Sequence, residues 1–238
     1  MAVSDRAKQA IRERVWTRLE AAGVVVPGVA GYIPAFDGAD RAAARLAALP
    51  VWRSAQVVKA VPDQAQQPVR ERALEGGKLV YMAASRLAAD KPFYLLDPHA
   101  LPVPAAEAAE HRVAARIAPA VDLSEMRPID LIVVGSVAVN DRGARLGKGA
   151  GYADLEVGLL VEAGLLSERT VIATTVHELQ VLEDDLPEMA HDFRVDVIVT
   201  PRRVIWCGSP RRPAGIDWSI LRPERIAAIP VLARRAGT

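Results

Sequence analysis

The chain has 238 residues, half of them apolar, which is enough for one large α/β unit or two small ones with a sizeable core. Its 30 Lys and Arg against 29 Asp and Glu leave a formal charge of +1, so nothing drives it towards nucleic acid or an anionic membrane surface. Cys207 is the single cysteine, which excludes an internal disulfide. A start without an apolar h-region and the lack of any bilayer-length apolar run then lead us to expect a cytoplasmic protein without signal peptide or membrane partner.

A first helix is expected over residues 4–22. Ser4 is a suitable N-cap, Ala7, Ile11, Val15, Leu19 and Ala22 form one stripe, and Gly23 can end it. Lys8 and Arg12 lie one turn apart and share a face, which by itself is an ordinary solvated basic face. Residues 24–36 are punctuated by Pro and Gly and read as loop. Residues 38–49 form a short helix that ends before Pro50. Residues 55–61 and 78–82 read as strands with a helix over 66–76 between them, a pattern that predicts a βαβ unit and a parallel sheet. A short apolar segment follows at 93–97, then an alanine-rich helix at 104–118. His99 and His111 there have no Cys or carboxylate cluster beside them and read as surface residues. Residues 119–128 are a linker into an apolar strand at 130–134.

That strand feeds the most distinctive stretch, residues 141–155, where glycines alternate with Arg145, Lys148, Tyr152 and Asp154 before a helix at 155–163. Glycine lets the backbone take conformations closed to other residues and come close to a ligand. At the mouth of a helix the free N–H groups and the dipole favour an anion. Arg145 and Lys148 add cationic donors suited to phosphate. Asp154, in the helix's first turn, can hold a hard cation such as magnesium. The stretch therefore predicts a site for a nucleotide polyphosphate with its metal. It is not a P-loop, because Lys148 is followed by Gly149 and Ala150 with no hydroxyl, and it is a poor dinucleotide fingerprint. The bland alternative is a glycine-rich loop with no ligand.

Beyond it, residues 170–176 are β-branched and almost wholly apolar, as a strand covered on both faces should be. His177 and Gln180 follow at its carboxyl end, where ligands gather in open α/β sheets, although a loop-capping pair is an equal alternative. Residues 184–189 are an acidic, solvated loop. A strand at 193–201 contains Asp196, and 204–207 reads as a closing strand in which Cys207 is a core thiol. Residues 208–238 are rich in Pro and Arg and are expected to pack back on the rest.

Gly143, Arg145, Leu146, Gly147, Gly149, Gly151, Tyr152 and Asp154 together resemble the loop signature of the 5-formyltetrahydrofolate cyclo-ligases, or methenyltetrahydrofolate synthetases. Ala150, Ala153 and Leu155 stand where that signature has Gly, Tyr and Arg, so the chain looks like a divergent branch. The resemblance covers the first helix and most of residues 129–205. It implies a three-layer α/β/α fold with a mostly parallel sheet, of the NagB/RpiA/CoA-transferase-like type. It implies one unit over 1–238, with an N-terminal helix at 1–22, a nucleotide-binding core at 129–207 and a tail at 208–238. The implied reaction is ATP-dependent closure of 5-formyltetrahydrofolate to 5,10-methenyltetrahydrofolate, with a reduced folate as small-molecule partner and ATP and Mg2+ as cofactors, in a monomer or homodimer.

Carried over residue by residue, Lys8 and Arg12 match an N-terminal Lys-x-x-x-Arg that reaches ATP. Arg145, Gly147, Lys148, Gly149, Gly151 and Tyr152 hold ATP, with Lys8, Arg145 and Lys148 as catalytic cations and Tyr152 facing the pterin. Asp154 and Asp196 are the implied magnesium ligands. Gln180 matches a glutamine of the family. The family's folate-holding glutamate is absent from residues 63–69, and Gln67 is the polar residue of similar size there. The alternatives are a paralogue that takes a nucleotide or phosphorylated metabolite, a thiamine-related one among the candidates, and a non-catalytic folate- or nucleotide-binding module.

Overall fold

The structure is a computed structural model that describes residues 3–237, and its centre is an eight-stranded sheet with helices on both faces. The strands of the chain are β1 (Val57–Ala60), β2 (Leu79–Ala83), β3 (Phe93–Leu96), β4 (Ala120–Val121), β5 (Leu131–Val134), β6 (Ala138–Asn140), β7 (Arg145–Leu146), β8 (Val171–Thr175), β9 (Val181–Leu182), β10 (Val197–Val199) and β11 (Val204–Trp206). The large sheet has the order β11-β10-β8-β5-β1-β2-β3-β4. From β10 to β2 all neighbours are parallel, and β11, β3 and β4 are added antiparallel at the edges. The apolar runs of β1, β5 and β10 are buried throughout, which is what a sheet covered on both faces demands. A smaller sheet, β7-β6-β9, stands beside it.

The helices are α1 (Val3–Ala21), α2 (Ala39–Ala47), α3 (Pro50–Ser54), α4 (Gln67–Glu75), α5 (Ala105–Ala108), α6 (His111–Ile117), α7 (Tyr152–Glu162), α8 (Pro223–Ala228) and α9 (Pro230–Ala236). One face of the sheet, with Ile132 and Tyr81, packs against Val157 and Leu160 of α7 and against Ile229, Val231 and Leu232 of the C-terminal segment. The other face, with Val58 and Val133, packs against Leu46, Trp52, Val69 and Leu74 of α2 to α4. Val15, Trp16 and Leu19 of α1 bury against Ala138, Leu146 and Leu182 of the small sheet. This is the expected mixed α/β fold with a mostly parallel sheet, and β1-α4-β2 is the expected parallel unit.

Several local expectations differ. The helix expected over 104–118 is two, because Glu110 breaks it and caps α6 by accepting from the N–H groups of Arg112 and Val113. The first helix already runs at Val3, and the side chain of Ser4 lies outside the described residues. The glycine stretch opens with the β6–β7 hairpin, so Arg145 sits on a strand. Gly143 makes that turn at φ +84°, and a Cβ on it would stand 2.2 Å from the Val195 carbonyl oxygen. The strand expected over 193–201 is confined to β10, which leaves Asp196 just before it.

One core feature has no local signature in the chain. Lys59 of β1, wholly buried, forms an ion pair with Glu156 of α7, whose side chain is 6% exposed. The pair ties α7, and with it the glycine stretch, to a central strand. Removing one partner leaves the other charge buried and unpaired, which is the expensive outcome, whereas replacing both with apolar groups need not be. Lys59→Met should therefore lower unfolding stability by about 3–5 kcal/mol in urea titration, and Lys59→Met with Glu156→Leu should recover most of it. A single variant as stable as the parent would refute this account.

Candidate functional site

The carboxyl ends of β1, β5 and β8 meet the N-terminus of α7, the place where open α/β sheets hold ligands. Between β7 and α7 the backbone runs through Gly149 at φ +100° and Gly151 at φ +66°. Gly151 is the N-cap of α7 and offers no side-chain cap. Among the described residues, none of the N–H groups from 147 to 154 donates to a protein acceptor. A run of unfilled backbone donors at a helix mouth is an anion cradle.

Four cations from three parts of the chain, α1, β7 and the loop itself, surround it. Arg145, on β7, is 6% exposed. Its Nη1 donates to the Gly135 carbonyl at 3.0 Å, its Nη2 lies 3.4 Å from Asp154 Oδ1, and its guanidinium stands 4.5 Å from the Phe193 ring centre. Its Nε has no protein partner. Arg12 reaches from α1, and its Nε donates to the Gly147 carbonyl at 2.7 Å. Burial, and then the charge of Arg145, pull the Arg12 pKa below its ordinary value. Lys8, also on α1 and nearly buried, pairs with Asp192 Oδ2 at 2.5 Å. Lys148 pairs with Asp63 Oδ1 at 2.9 Å, in the loop after β1. Residues 8, 12, 145, 147, 148, 149, 151, 152 and 154 are thus gathered at one place. A small cleft of about 70 Å³ opens between this loop and the C-terminal segment, lined by Gly151, Asp154, Leu155, His191, Ile216 and Arg225 among others.

Asp196 is not brought to Asp154. Asp154 joins Arg145 beside Gly135, just past the end of β5. Asp196 lies at the start of β10, where its Oδ2 accepts from the Ile172 N–H at 2.7 Å and from Arg212. The two carboxylates occupy opposite ends of the parallel strands. Among the described residues no group of three or more His, Cys, Asp or Glu side chains is gathered to hold a metal.

Gln180 and His177 are a capping pair. Gln180 Oε1 accepts from the His177 N–H at 2.7 Å, and His177 Nδ1 accepts from the Leu179 N–H at 3.2 Å. The Gln180 amide donates to the Ser136 and Val137 carbonyls, so the residue braces the segment after β5. Gln67 is half-buried at the start of α4. Its neighbour Gln66 is the one that reaches the strand ends. Gln66 is wholly buried, its Nε2 donates to Thr175, and its Oε1 has no partner. Gln66 closes the short 3-10 turn before α4 and Gln67 opens the helix, so the local backbone turns one side chain to the strand and the other away from it. Arg70, also missed, is buried beneath this loop, donating to the Val61 and Asp63 carbonyls, and burial lowers its pKa to about 10. Cys207 is pushed up to about 11 by burial and then by Asp196 and Asp141, as befits an inert thiol.

Residues 4–201 match the model of the 5-formyltetrahydrofolate cyclo-ligase family. Methenyltetrahydrofolate synthase domain-containing proteins of Bos taurus and Mus musculus are 37% and 38% identical to the chain, each over 94% of it. The chain spans about three fifths of the length of these curated relatives, 60% and 62%. The solution structure of the Aquifex aeolicus 5,10-methenyltetrahydrofolate synthetase superposes with a TM-score of 0.55 at 22% identity, covering 86% of this chain and 94% of that one. At that identity the likeness is one of fold. No helix among the described residues is long and apolar enough to cross a membrane.

His177 makes the strand end sensitive to acid. Burial, the largest effect, draws its pKa below 6.5, so the folded protein keeps it neutral while the unfolded chain protonates it. The unfolded state then binds the extra proton first, and stability falls as pH drops below about 6.5. His177→Asn keeps an acceptor for the Leu179 N–H and removes the titration. The parent's Tm should fall more steeply than the variant's between about pH 6.5 and 5. Parallel Tm curves would exclude this role.

Proposed function

The chain belongs to the 5-formyltetrahydrofolate cyclo-ligase family, and on that basis we propose that it binds ATP at residues 147–154 and uses it to close a 5-formyl reduced folate to the 5,10-methenyl form. The observation that carries this is the run of N–H groups without protein acceptors, ringed by Lys8, Arg12, Arg145 and Lys148. In this scheme the formyl oxygen takes the γ-phosphoryl group and ADP leaves. The second folate nitrogen then attacks the formyl carbon and gives up its proton to solvent, a C–N bond forms, and the C–O bond breaks as phosphate departs. Such chemistry asks mainly for positioning and for neutralising phosphate charge.

Each cation has a task in this proposal. Arg145 has a buried Nε without a partner, so it can take a phosphate oxygen without giving up its existing bonds. Lys8 and Lys148 are held by Asp192 and Asp63 and can be drawn onto the phosphates. Gly147, Gly149 and Gly151 supply backbone donors, and the Tyr152 ring, beneath the Arg225 guanidinium, is the aromatic surface offered to the pterin. The donor set does not fit a magnesium held by Asp154 and Asp196 together. Asp154 alone is placed to meet a cation that arrives on the phosphates. Gln180 supports the segment after β5 from below, and Gln67 lies on the folate side.

A specific observation favours a second possibility. Gln66 at the strand ends and its neighbour Gln67 are amides where the family motif has a glutamate, and an amide neither acts as a base nor carries charge. A paralogue with this loop would bind nucleotide and act on another metabolite. Calorimetry with magnesium-ATP, then 5-formyltetrahydrofolate, with methenyl product followed by absorbance, separates the two. Binding of both with product is expected, and Arg145→Ala should weaken ATP binding about 100-fold. Failure to bind ATP would sink the proposal. ATP binding without product, unrescued by Gln67→Glu, would favour the paralogue.

A further inference from the structure

The family match ends at residue 201, yet one residue after it touches the glycine loop. Arg225 of α8 donates from Nη2 to the Ala150 carbonyl, and its guanidinium stands 5.4 Å from the centre of the Tyr152 ring. A Cβ on Gly151 would meet the same Nη2 at 3.2 Å. The segment is anchored by Ile229, Val231 and Leu232, which are buried in the sheet's core. Arg225 is therefore held in place from below and applied to the loop from outside.

A trans peptide is planar, and its C=O and N–H point opposite ways. Fixing the Ala150 oxygen on Arg225 turns the Gly151 N–H away from the guanidinium. Without that bond the Ala150–Gly151 peptide is easily flipped, because Gly151 has no Cβ to resist it. A flipped peptide would present a carbonyl oxygen, not an N–H, to a bound anion. Arg12 does the same at the other end of the loop, where its bond to the Gly147 oxygen turns the Lys148 N–H away from it. The buried, unpartnered Nε of Arg145 independently points to a ligand at this place.

We infer that Arg225 is a positioning residue for phosphate binding: it locks the Ala150–Gly151 peptide with its N–H towards the ligand, and so makes the segment after residue 201 a working part of the site. This rests on the loop's being the phosphate cradle proposed above. Peptide locking and one added positive charge together set the expected size of the effect.

The test uses the full chain, with inorganic tripolyphosphate and magnesium-ATP as probes, in calorimetry and in 1H–15N spectra. Arg225→Ala should weaken both ligands about 10- to 100-fold and shift the Gly151 amide resonance of the free protein. Arg225→Lys, which still donates one bond to the Ala150 oxygen, should restore the resonance and much of the affinity. Glu224→Gln, on the same helix, should change neither. Urea unfolding of each variant checks that it is folded, and the lysine variant carries the test should the alanine variant not fold. Unchanged affinity in Arg225→Ala, or an unmoved Gly151 resonance, would overturn the inference while leaving the cradle intact. A parent protein that binds neither probe would instead overturn the cradle, and this inference with it.

Discussion

A backbone N–H with no acceptor is unfavourable wherever water is restricted, and a fold tolerates a run of them only where something else holds the chain in shape. Residues 147–154 are such a run. Their own hydrogen bonds cannot fix them, so the shape comes from outside. Arg12 and Arg225 take the carbonyls of Gly147 and Ala150, Lys148 is tied to Asp63, and Arg145 bridges the end of β5 to Asp154. The sheet, α1 and the C-terminal helices can each be understood as what carries one of these four cations to the loop.

The buried polar groups divide by whether they are satisfied. Gln180 spends both amide protons and its oxygen within the protein, and Lys59 is matched by Glu156. Such groups hold elements together. Gln66 Oε1 and Arg145 Nε are buried and unmatched, and both lie at the carboxyl ends of the parallel strands. The incomplete groups at the strand ends mark the place where a ligand's atoms would complete the set. Arg70 Nη2 is a further unmatched atom, beneath the loop that carries Asp63.

Much of this was legible beforehand because it depends on local patterns. Apolar β-branched runs gave the parallel strands, and the spacing of Gly143, Arg145, Gly147, Gly149, Gly151 and Asp154 located the loop and its resemblance. What was hidden depends on contacts between distant parts of the chain. Lys8 and Arg12 form a plain basic face until α1 is laid on the loop, where Arg12 meets a carbonyl oxygen. Asp196 sits in an apolar run like a ligand in waiting, but which end of the strand it occupies depends on where β10 begins, and it begins one residue later. Gln66 and Gln67 differ by one position across the join of a 3-10 turn and α4, too fine a distinction for composition to make. Arg225 had no motif at all, since an arginine among many in a Pro- and Arg-rich tail carries no mark of its target.

The clamp on the glycine loop also has a temporal side. Arg12 is 135 residues from Gly147 along the chain, and Arg225 is 75 from Ala150. Neither contact can form by local zippering. Both wait on the closure of long loops, whose entropy must be met before the contact gives anything back. On a ribosome the loop emerges well before Arg225 has been made, so the nascent chain would carry the signature without the finished cradle. The anion site would then be among the last parts of the molecule to mature. In the folded protein its amides would exchange with solvent faster than those of β5, where the ladder is filled on both sides.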